Sequence, residues 1–529
     1  MTTQLRYPIG IQTFEAIRTG GYLYVDKTAY LYRLVKENRY VFLSRPRRFG
    51  KSLLLSTIEA YFEGRKELFE GLAISELEKD WETCPVLRLD LSMESYDEPE
   101  KLDRRLSSIL SEWESAYEIS VGADASPASR FERIITAAAE TSGRKVVVLV
   151  DEYDKPILHN LHDIEKQERV REKLQGFYSV IKGMDRHIRF AMLSGVSKFA
   201  HLSIFSGLNN LTDISLDLPF NNICGITESE MHHYFGESVS LFAEANRISC
   251  EETWDLFKRQ YDGYHFAVGG EDVYNPFSVL SAFFKQKLSD YWFSTGTPSF
   301  LVKLVRRNDF ELGELEGTVA SERSLRDITD LGSDIVPYLF QAGYLTIKGR
   351  DAESGEVRLG FPNEEVSRGF WDFFIKAYFP KSSGNGIYSL NSLIKDLNDG
   401  DAGQFLTRLR SLISSTTSES ESDKEIHFQN VMAIIGKMLG FRVSTEVHSA
   451  LGRCDMLLES RSFIYIFEFK VDSTPEQALE QIESRGYVLP YLSDPRPKIL
   501  VGVDFSTATR TIESWQIKRM HGRHGKILP

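Results

Sequence analysis

The stretch that decides the fold is Ser-Arg-Pro-Arg-Arg-Phe-Gly-Lys-Ser at residues 44–52. The apolar run Tyr-Val-Phe-Leu at residues 40–43 precedes it and predicts a buried strand, and the apolar spacing of residues 53–58 predicts a helix after it. A strand, a tight loop with Gly-Lys-Ser and a helix, in that order, are typical of a phosphate-binding loop. The main-chain N–H groups of such a loop and the positive end of its helix hold phosphates.

Individual residues of this stretch are candidates for contacts with ATP. Lys51 is expected to reach the β- and γ-phosphates, and the Ser52 hydroxyl is expected to ligate Mg²⁺. Arg45 stands where the usual pattern has its first glycine, so a surface turn with a chance Gly-Lys-Ser is the alternative. The arginines of the loop would add charge at the phosphates or across a subunit boundary. The residues expected to bind the nucleotide here are Arg45, Arg48, Phe49, Gly50, Lys51 and Ser52.

Two later strands carry polar residues at their ends. The aliphatic run at residues 146–150 predicts a strand buried on both faces, and it ends in Asp151 and Glu152. Open α/β sheets bind ligands at this edge, so we expect Asp151 to hold Mg²⁺ and Glu152 to polarise the attacking water. The strand at residues 188–193 ends in Ser194, which is a candidate γ-phosphate sensor or a simple strand-end cap. A capped turn is the alternative for Asp-Glu, but the pair strengthens the nucleotide interpretation of the loop.

The order of these strands indicates an α/β fold. It suits the P-loop NTPase cores of the additional-strand class, which includes AAA and RecA-like proteins, by analogy at the level of the fold. The chain has 529 residues, a net charge of −13 and four scattered cysteines without a Cys-x-x-Cys pair. Its charge argues against a surface coated in basic residues. A cytoplasmic protein without a membrane segment is expected, since no apolar run approaches about 18 residues.

A second group of charged residues lies near the C-terminus. Residues 452–458 and 463–471 predict paired strands, and Glu468 and Lys470 are two positions apart on the second, so they share a face. Asp455 on the first strand can lie beside them. Charges among apolar strands are costly unless they are paired or bind metal. Asp455 and Glu468 could hold Mg²⁺ or Mn²⁺ while Lys470 assists a bound water, and a structural salt bridge is the alternative.

This second group resembles the PD-(D/E)XK nuclease superfamily, with Asp455 followed by Glu468-Phe469-Lys470. The sequence lacks a Pro before Asp455, a departure that is common in the superfamily. Gln481 with Tyr487 is similar to the glutamine-tyrosine element of RecB-like nucleases. Glu425 resembles the extra acidic residue that often completes the metal site.

The two halves together resemble a bacterial family of AAA-ATPase-like proteins with a C-terminal PD-(D/E)XK domain. In that family Arg45 is the usual form of the loop. The resemblance rests on the segments at residues 24–28, 45–52, 151–154, 194–199, 452–455 and 468–470.

The expected organisation follows from these motifs and from composition. A helix that ends near Gly343, followed by two strands, predicts a winged-helix-like module that packs on its neighbours rather than binding DNA. The expected parts are an AAA-like ATPase domain at 1–220, a helical lid region at 221–330, a winged-helix-like and helical region at 331–410, a Ser/Glu-rich linker at 411–424 and a nuclease-like domain at 425–529.

The leading functional hypothesis is a protein that binds and hydrolyses ATP and whose core controls a metal-dependent nuclease. Its expected partners are ATP and nucleic acid, DNA rather than RNA, and a homo-oligomer is compatible with the loop arginines. The alternative is a nucleotide-driven switch or scaffold whose C-terminal domain binds nucleic acid or protein without cutting. A small-molecule phosphotransferase is a third hypothesis, for which the sequence shows no acceptor pocket.

Overall fold

The computed structural model describes residues 5–119, 125–161, 163–198, 210–295, 301, 305, 312, 315–328, 334–378, 392–393, 395–413, 442–449, 452–460, 462–509, 511–521 and 526–528. The chain forms two compact units, one of residues 1–296 with 319–367 and one of residues 297–318 with 368–529. Within the described ranges, no helix is long and apolar enough to span a bilayer. The finer domain boundaries expected from the sequence stay predictions.

A parallel five-stranded sheet forms the core of the first unit. Its strands are β1 (Tyr40–Ser44), β2 (Val86–Asp90), β3 (Val146–Asp151), β4 (Ile188–Gly195) and β5 (Thr212–Asp213), in the order β2-β3-β4-β1-β5. All residues of β1 and β3 are buried, as aliphatic runs covered on both faces should be. Because β4 lies between β1 and β3, the sheet has the additional-strand order, which confirms the predicted fold class.

Helices connect and cover these strands. The loop helix of the first motif is α3, and it packs against β3 and β4, as α6 packs against β3. The helices up to the end of β4 are α1 (Phe14–Thr19), α2 (Thr28–Glu37), α3 (Lys51–Phe62), α4 (Ala73–Leu77), α5 (Pro99–Ala116), α6 (Pro127–Ser142), α7 (Lys155–Leu158) and α8 (Ile164–Gly183).

The region after the sheet is helical and rich in aromatic residues, as predicted. It contains β6 (Ile226–Thr227), α9 (Glu228–Asn246), α10 (Cys250–Tyr261), β7 (Val273–Tyr274) and α11 (Pro276–Lys285). Phe235, Phe257 and Phe283 stack in its buried core. The tight packing of these rings explains why aromatic residues recur there.

A helix and a hairpin follow, as the sequence predicts. They comprise β8 (Val319–Ala320), α12 (Glu322–Arg326), α13 (Val336–Gln341), β9 (Thr346–Arg350) and β10 (Val357–Gly360), with α14 (Glu364–Tyr378) after them. The three strands form an antiparallel sheet in the order β8-β10-β9. Gly343 ends the turn after α13 at φ +88°, a conformation that favours glycine.

The second unit contains a six-stranded sheet in the order β11 to β16. Its elements are α15 (Ala402–Ile413), β11 (Arg442–Ser449), β12 (Gly452–Glu459), β13 (Ile464–Val471), α16 (Pro475–Ser484), β14 (Lys498–Ser506), β15 (Thr511–His521) and β16 (Lys526–Leu528). Only the β13–β14 pair is parallel among these strands, and α16 is the crossover that joins it. Gly502 allows α16 to approach, since a Cβ there would lie 2.3 Å from the Pro475 carbonyl oxygen.

The linker predicted at residues 411–424 needs a correction at its start. Helix α15 runs to Ile413, so residues 411–413 are helical and not part of a linker. Apolar residues at i, i+1 and i+4 positions, Phe405, Leu406 and Leu409, are fully buried and carry the helix past the predicted boundary. Residues 414–424 lie outside the described residues.

Candidate functional site

The loop between β1 and α3 has the backbone that a phosphate site requires. Gly50 precedes α3 in the left-handed conformation at φ +94°, and Arg48 also has a positive φ of +66°. Among the described residues beyond its immediate chain neighbours, none places an atom within 4 Å of a Cβ built on Gly50, so the backbone angle rather than space selects glycine there. Helix α3 begins at Lys51, and its first N–H groups therefore face the end of the loop.

Lys51 lies inside this loop. Its Nζ donates to the carbonyl oxygens of Arg45 at 2.8 Å and Pro46 at 2.9 Å. Burial lowers the pKa of Lys51, and the charges of Glu152 and Asp151 oppose that shift. Because β1 and β3 are the parallel neighbours of β4, the Gly-Lys-Ser loop after β1 and the Asp-Glu pair at the end of β3 lie at the same edge of the sheet.

The two acidic residues at the end of β3 have different surroundings. Asp151 is buried, and its Oδ1 accepts from the Ser194 hydroxyl at 2.8 Å, while Arg88 lies 4.0 Å from its Oδ2. Glu152 has a φ of +51° and a side chain that is 36% exposed, with the ammonium of Lys155 at 3.9 Å. Burial raises the pKa of Glu152, which favours its acting as a proton acceptor. Ser194 thus stands directly beside Asp151.

Asp154 and Tyr153 hold the segment after β4 in place. The Asp154 carboxylate accepts from the N–H groups of Val196 and Ser197 and from the Ser197 hydroxyl at 2.7 Å. The Tyr153 hydroxyl donates to the Ser197 carbonyl oxygen. A Cβ on Gly195 would lie 2.6 Å from Asp154 Oδ1 and 2.7 Å from the Tyr153 ring. Sequence reasoning gave Asp154 no role, although its position beside Asp-Glu was the available signal.

Arg45 points away from the surface of the loop. Its guanidinium is 1% exposed and donates to the carbonyl oxygens of Ser215 at 2.6 Å, Phe220 at 3.2 Å and Asn221 at 3.4 Å. It also lies 4.2 Å from the centre of the Phe266 ring. Burial lowers the pKa of Arg45 to about 10. Arg45 was expected to add charge at the phosphates. In the structure its guanidinium instead donates to backbone carbonyls inside the protein.

Phe49 and Arg48, two further loop residues expected at the nucleotide, have contrasting positions. The Phe49 ring is buried in edge contacts with Tyr264 at 4.7 Å and Phe266 at 5.4 Å. Arg48 is exposed, with its guanidinium 4.9 Å from the centre of the Phe277 ring. Arg48 is therefore the loop arginine whose surroundings suit a contact with phosphate or with another chain.

An apolar cavity of about 110 Å³ lies next to Gly50. Its walls include residues of α3 and of three other parts of the unit: Leu23, Tyr24, Val25, Lys27, Leu53, Leu54, Thr57, Ile223, Cys224, Gly225, Ile226, Pro276 and Leu280. A cavity with this lining, directly beside a phosphate loop, suits the flat ring of a nucleobase.

In the second unit, the three charged residues meet as predicted. Asp455 on β12 accepts the main-chain N–H of Phe469 at 2.8 Å, and its own N–H lies 3.5 Å from Glu468 Oε2. Lys470 Nζ donates to Glu468 Oε1 at 3.3 Å. Glu468 is 1% exposed, and burial together with the neighbouring Asp455 raises its pKa to about 7.

Gln481 completes a chain of polar contacts at this site. Its Oε1 accepts from Lys470 Nζ at 2.8 Å, and its Nε2 donates to the Tyr487 hydroxyl at 3.4 Å. The predicted glutamine-tyrosine element therefore fixes the ammonium of Lys470. Glu425, the third predicted acidic residue, lies outside the described residues.

The donor set of this second site suits a hard cation. The charge of Asp455 adds to burial in raising the pKa of Glu468, and a divalent cation bound by both carboxylates would relieve that repulsion. Across the part of the chain that the structure describes, no group of three or more His, Cys, Asp or Glu side chains could hold a metal ion. A cation between Asp455 and Glu468 would need main-chain oxygens or water as further ligands.

Comparison with known proteins places both halves. The family described as predicted AAA-ATPase matches residues 8–205, and the PD-(D/E)XK nuclease superfamily matches residues 423–515. A protein of Azotobacter chroococcum mcd 1, named as an uncharacterized protein in the vnfD 5′ region, is 36% identical over 528 residues and covers 97% of this chain and 99% of its own. The chain belongs to this family of AAA-ATPase-like proteins with a C-terminal PD-(D/E)XK domain.

Two solved structures are similar to the chain at low sequence identity. The Orc1 protein of Aeropyrum pernix, solved in complex with DNA, is 12% identical, with a TM-score of 0.23, over 66% of this chain and 93% of its own. Cdc6p of Pyrobaculum aerophilum is 10% identical, with a TM-score of 0.24, over 64% of this chain and 89% of its own.

The AAA-ATPase-like domain has further contacts on its loop that sequence reasoning missed. The indole N–H of Trp292 donates to the Arg47 carbonyl oxygen at 2.9 Å. The buried Glu365 carboxylate accepts from the Trp292 N–H at 2.6 Å and from the Ser278 hydroxyl at 2.8 Å. A Cβ on Gly343 would lie 2.6 Å from Pro46 Cγ, so the turn after α13 packs directly on the loop. No local pattern in the sequence signals these contacts, because their partners are far apart along the chain.

Proposed function

We propose that the protein binds and hydrolyses ATP in its first unit and cleaves nucleic-acid phosphodiesters with a divalent metal in its second. The observation that supports the ATPase is the position of Lys51. Its ammonium donates to the loop carbonyls of Arg45 and Pro46 and interacts electrostatically with Glu152 and Asp151. A buried cation at the start of a helix, facing carboxylates across a parallel sheet edge, is the arrangement that phosphoryl transfer needs.

The proposed ATPase residues act in sequence on the substrate. The N–H groups at the start of α3 and the Lys51 ammonium would bind the β- and γ-phosphates, and Ser52 and Asp151 would hold Mg²⁺, which neutralises charge on the phosphates. Glu152 accepts a proton as water forms a bond to the γ-phosphorus and the bond to the bridging oxygen of ADP breaks. The Ser194 hydroxyl, which donates to Asp151, orients that carboxylate.

The cavity beside Gly50 is proposed to hold the base. Apolar walls on α3 and on residues 223–226 would cover both faces of an adenine ring whose phosphates lie on the loop. Phe49 lines this cavity and would contact the base, whereas Arg45 supports the proposed site from inside the protein, because its guanidinium is fully buried among backbone carbonyls.

The proposed nuclease residues are Asp455, Glu468 and Lys470. The two carboxylates would hold Mg²⁺ or Mn²⁺, which lowers the pKa of a bound water. Lys470, fixed by Gln481, would stabilise negative charge as water adds to phosphorus and the leaving oxygen departs. DNA is the proposed substrate. The four cysteines are unpaired, which supports a reducing compartment such as the cytoplasm.

ATP turnover by purified protein tests the first half of the proposal. Lys51→Ala should abolish ATP binding, and Glu152→Gln should bind ATP but hydrolyse it at least about 100-fold more slowly. Arg144→Ala, at an exposed surface ion pair, is the matched control and should behave like wild type. Turnover that survives both site substitutions would refute the site.

Calorimetric titration with Mn²⁺ tests the second half without relying on activity. Wild type should show a binding event that Asp455→Ala removes, while Asp494→Ala, at a half-buried pair with Arg496 in the same unit, should keep it. Equal heats in wild type and Asp455→Ala would contradict the metal site. Metal binding without cleavage of any DNA or RNA would favour a domain that binds without cutting.

A further inference from the structure

The cavity beside Gly50 is bounded by two segments that are far apart in the sequence. One is the N-terminal segment at residues 23–27, and the other is the strand and turn at residues 223–226, which leads directly into α9. Since neither wall is covalently close to the other, the contacts between the N-terminal segment and α9 determine how firmly the cavity is closed.

Two contacts join the N-terminal segment to one face of α9, and a third is made by Tyr7, which precedes that segment. Lys27 binds Glu230, the main-chain N–H of Asp26 donates to the Tyr234 hydroxyl at 3.3 Å, and the Tyr7 hydroxyl donates to the Ser238 hydroxyl at 2.8 Å. The three α9 residues are spaced four apart, so they form a single row along the helix. This row faces the N-terminal segment along two turns of α9.

The Lys27–Glu230 pair is the charged contact of this row and the one at the cavity. Lys27 Nζ lies 2.6 and 2.7 Å from the two Glu230 oxygens, and the two side chains are only 12% and 18% exposed. Burial lowers the pKa of Lys27, and Glu230 opposes that shift. Glu230 is also held by the N–H of Thr227 in the capping box of α9, so it is a fixed acceptor.

We infer that the Lys27–Glu230 ion pair closes the proposed nucleoside pocket and sets how long a nucleotide stays bound. This cavity is partly open to solvent, and its volume of about 110 Å³ is below the roughly 300–1,000 Å³ of most small-molecule sites, so a nucleoside fits only when its walls move apart. When the walls separate, the Lys27–Glu230 ion pair breaks, and because both side chains are largely buried, little water is available to solvate the two charges. The inference rests on the proposed ATP site, and Lys27 and Glu230 are positioning residues in it.

Cys224 provides a direct measure of pocket opening. Its thiol is buried and lines the cavity, next to the wall that moves if the pair breaks. Alkylation of Cys224, followed by peptide mass spectrometry, reports opening in the full-length protein without any nucleotide. Release of a fluorescent ATP analogue in a stopped-flow chase reports residence time.

The variants form a double-mutant cycle of Lys27→Met, Glu230→Gln and both together. Each single change should raise the release rate and the Cys224 alkylation rate about tenfold, and the double variant should match the singles because all three lack the same pair. Lys258→Met is the control. Lys258 on α10 pairs at 3.1 Å with Glu228, which lies on α9 as Glu230 does, but the Lys258 side chain is 56% exposed. This variant should leave both rates unchanged.

Two results would overturn the inference. One is release and alkylation rates in the single variants within twofold of wild type, and the other is single effects that multiply in the double variant. Failure of wild type to bind any nucleotide would instead refute the proposed ATP site, and the alkylation rates would then still decide whether the pair closes the cavity.

Discussion

Replacement of Arg45 by alanine separates a structural role of this residue from a role at the phosphates. The change removes a fully buried guanidinium that donates to the carbonyl oxygens of Ser215, Phe220 and Asn221 and to that of Ser44 at 3.0 Å. Three of these acceptors belong to residues 215–221, and the first of them, Ser215, is 170 residues after Arg45 in the sequence. Arg45→Ala therefore weakens the attachment of the phosphate loop to residues 215–221, where the hydrogen bond from the Ser44 N–H to the Ser215 hydroxyl remains.

The expected loss of stability follows from these bonds. A buried acceptor left without a donor costs about 1–3 kcal/mol. The Phe220 carbonyl keeps the Ile223 N–H as a donor at 3.2 Å, so the Ser215 and Asn221 carbonyls account for most of this cost. The relief of a buried charge, whose burial lowers the pKa of Arg45 to about 10, offsets part of that loss. A net loss of about 3 kcal/mol is expected, which corresponds to a fall of roughly 6–12 °C in Tm for a domain of 150–250 residues.

Thermal unfolding and ATP binding are measured on the same samples. Arg48→Ala is the matched control, because Arg48 is exposed and its substitution should change Tm by less than about 2 °C. Arg45→Ala should lower Tm, and ATP affinity at a temperature where the variant is folded should fall only modestly. A wild-type Tm combined with a loss of ATP affinity of 100-fold or more would refute the structural role and support direct contact with phosphate.

Three further predictions concern the surroundings of the loop. Gly343→Ala should weaken ATP binding more than adenosine binding by calorimetry, because its Cβ would lie 2.6 Å from Pro46 Cγ and φ is +88°; equal losses for both ligands would contradict this. Trp292→Phe should lower Tm by an amount equivalent to about 1 kcal/mol, since the hydrogen bond to the Arg47 carbonyl is lost, and an unchanged Tm would argue against that bond. Burial raises the pKa of Glu365 from 4.5 to about 8, so the folded state binds an extra proton between these pH values and stability falls as pH rises through them. Glu365→Gln should remove this part of the pH dependence of Tm, and identical profiles would refute it.

Much of the fold was predictable because it depends on local patterns. The aliphatic run of β3 and the Gly-Lys-Ser turn predict a strand, a loop and a helix irrespective of the rest of the chain. The two-residue spacing of Glu468 and Lys470 likewise places both on one face of β13, and the structure brings Asp455 beside them. These predictions needed only the periodicity of strands and helices.

Partners across long stretches of chain were not predictable from the sequence. Arg45 has three carbonyl partners on residues 215–221, and Trp292 reaches the Arg47 carbonyl over a separation of 245 residues. Lys27 finds Glu230 across 203 residues. A charge on a loop can serve a ligand or the fold equally well, and only tertiary packing decides which backbone or side chain it meets. For this reason the sequence alone suggested that Arg45 is a phosphate ligand.

Cleavage of labelled linear DNA and of RNA, in Mg²⁺ or Mn²⁺ with and without ATP, is the most direct test of the central claim. Wild type should cut at least one of these substrates, and Lys470→Ala should cut it at least about 100-fold more slowly while keeping the wild-type Tm within about 2 °C. Equal cleavage by wild type and Lys470→Ala would contradict the account, as would the failure of metal-loaded wild type to cut any substrate in either nucleotide state.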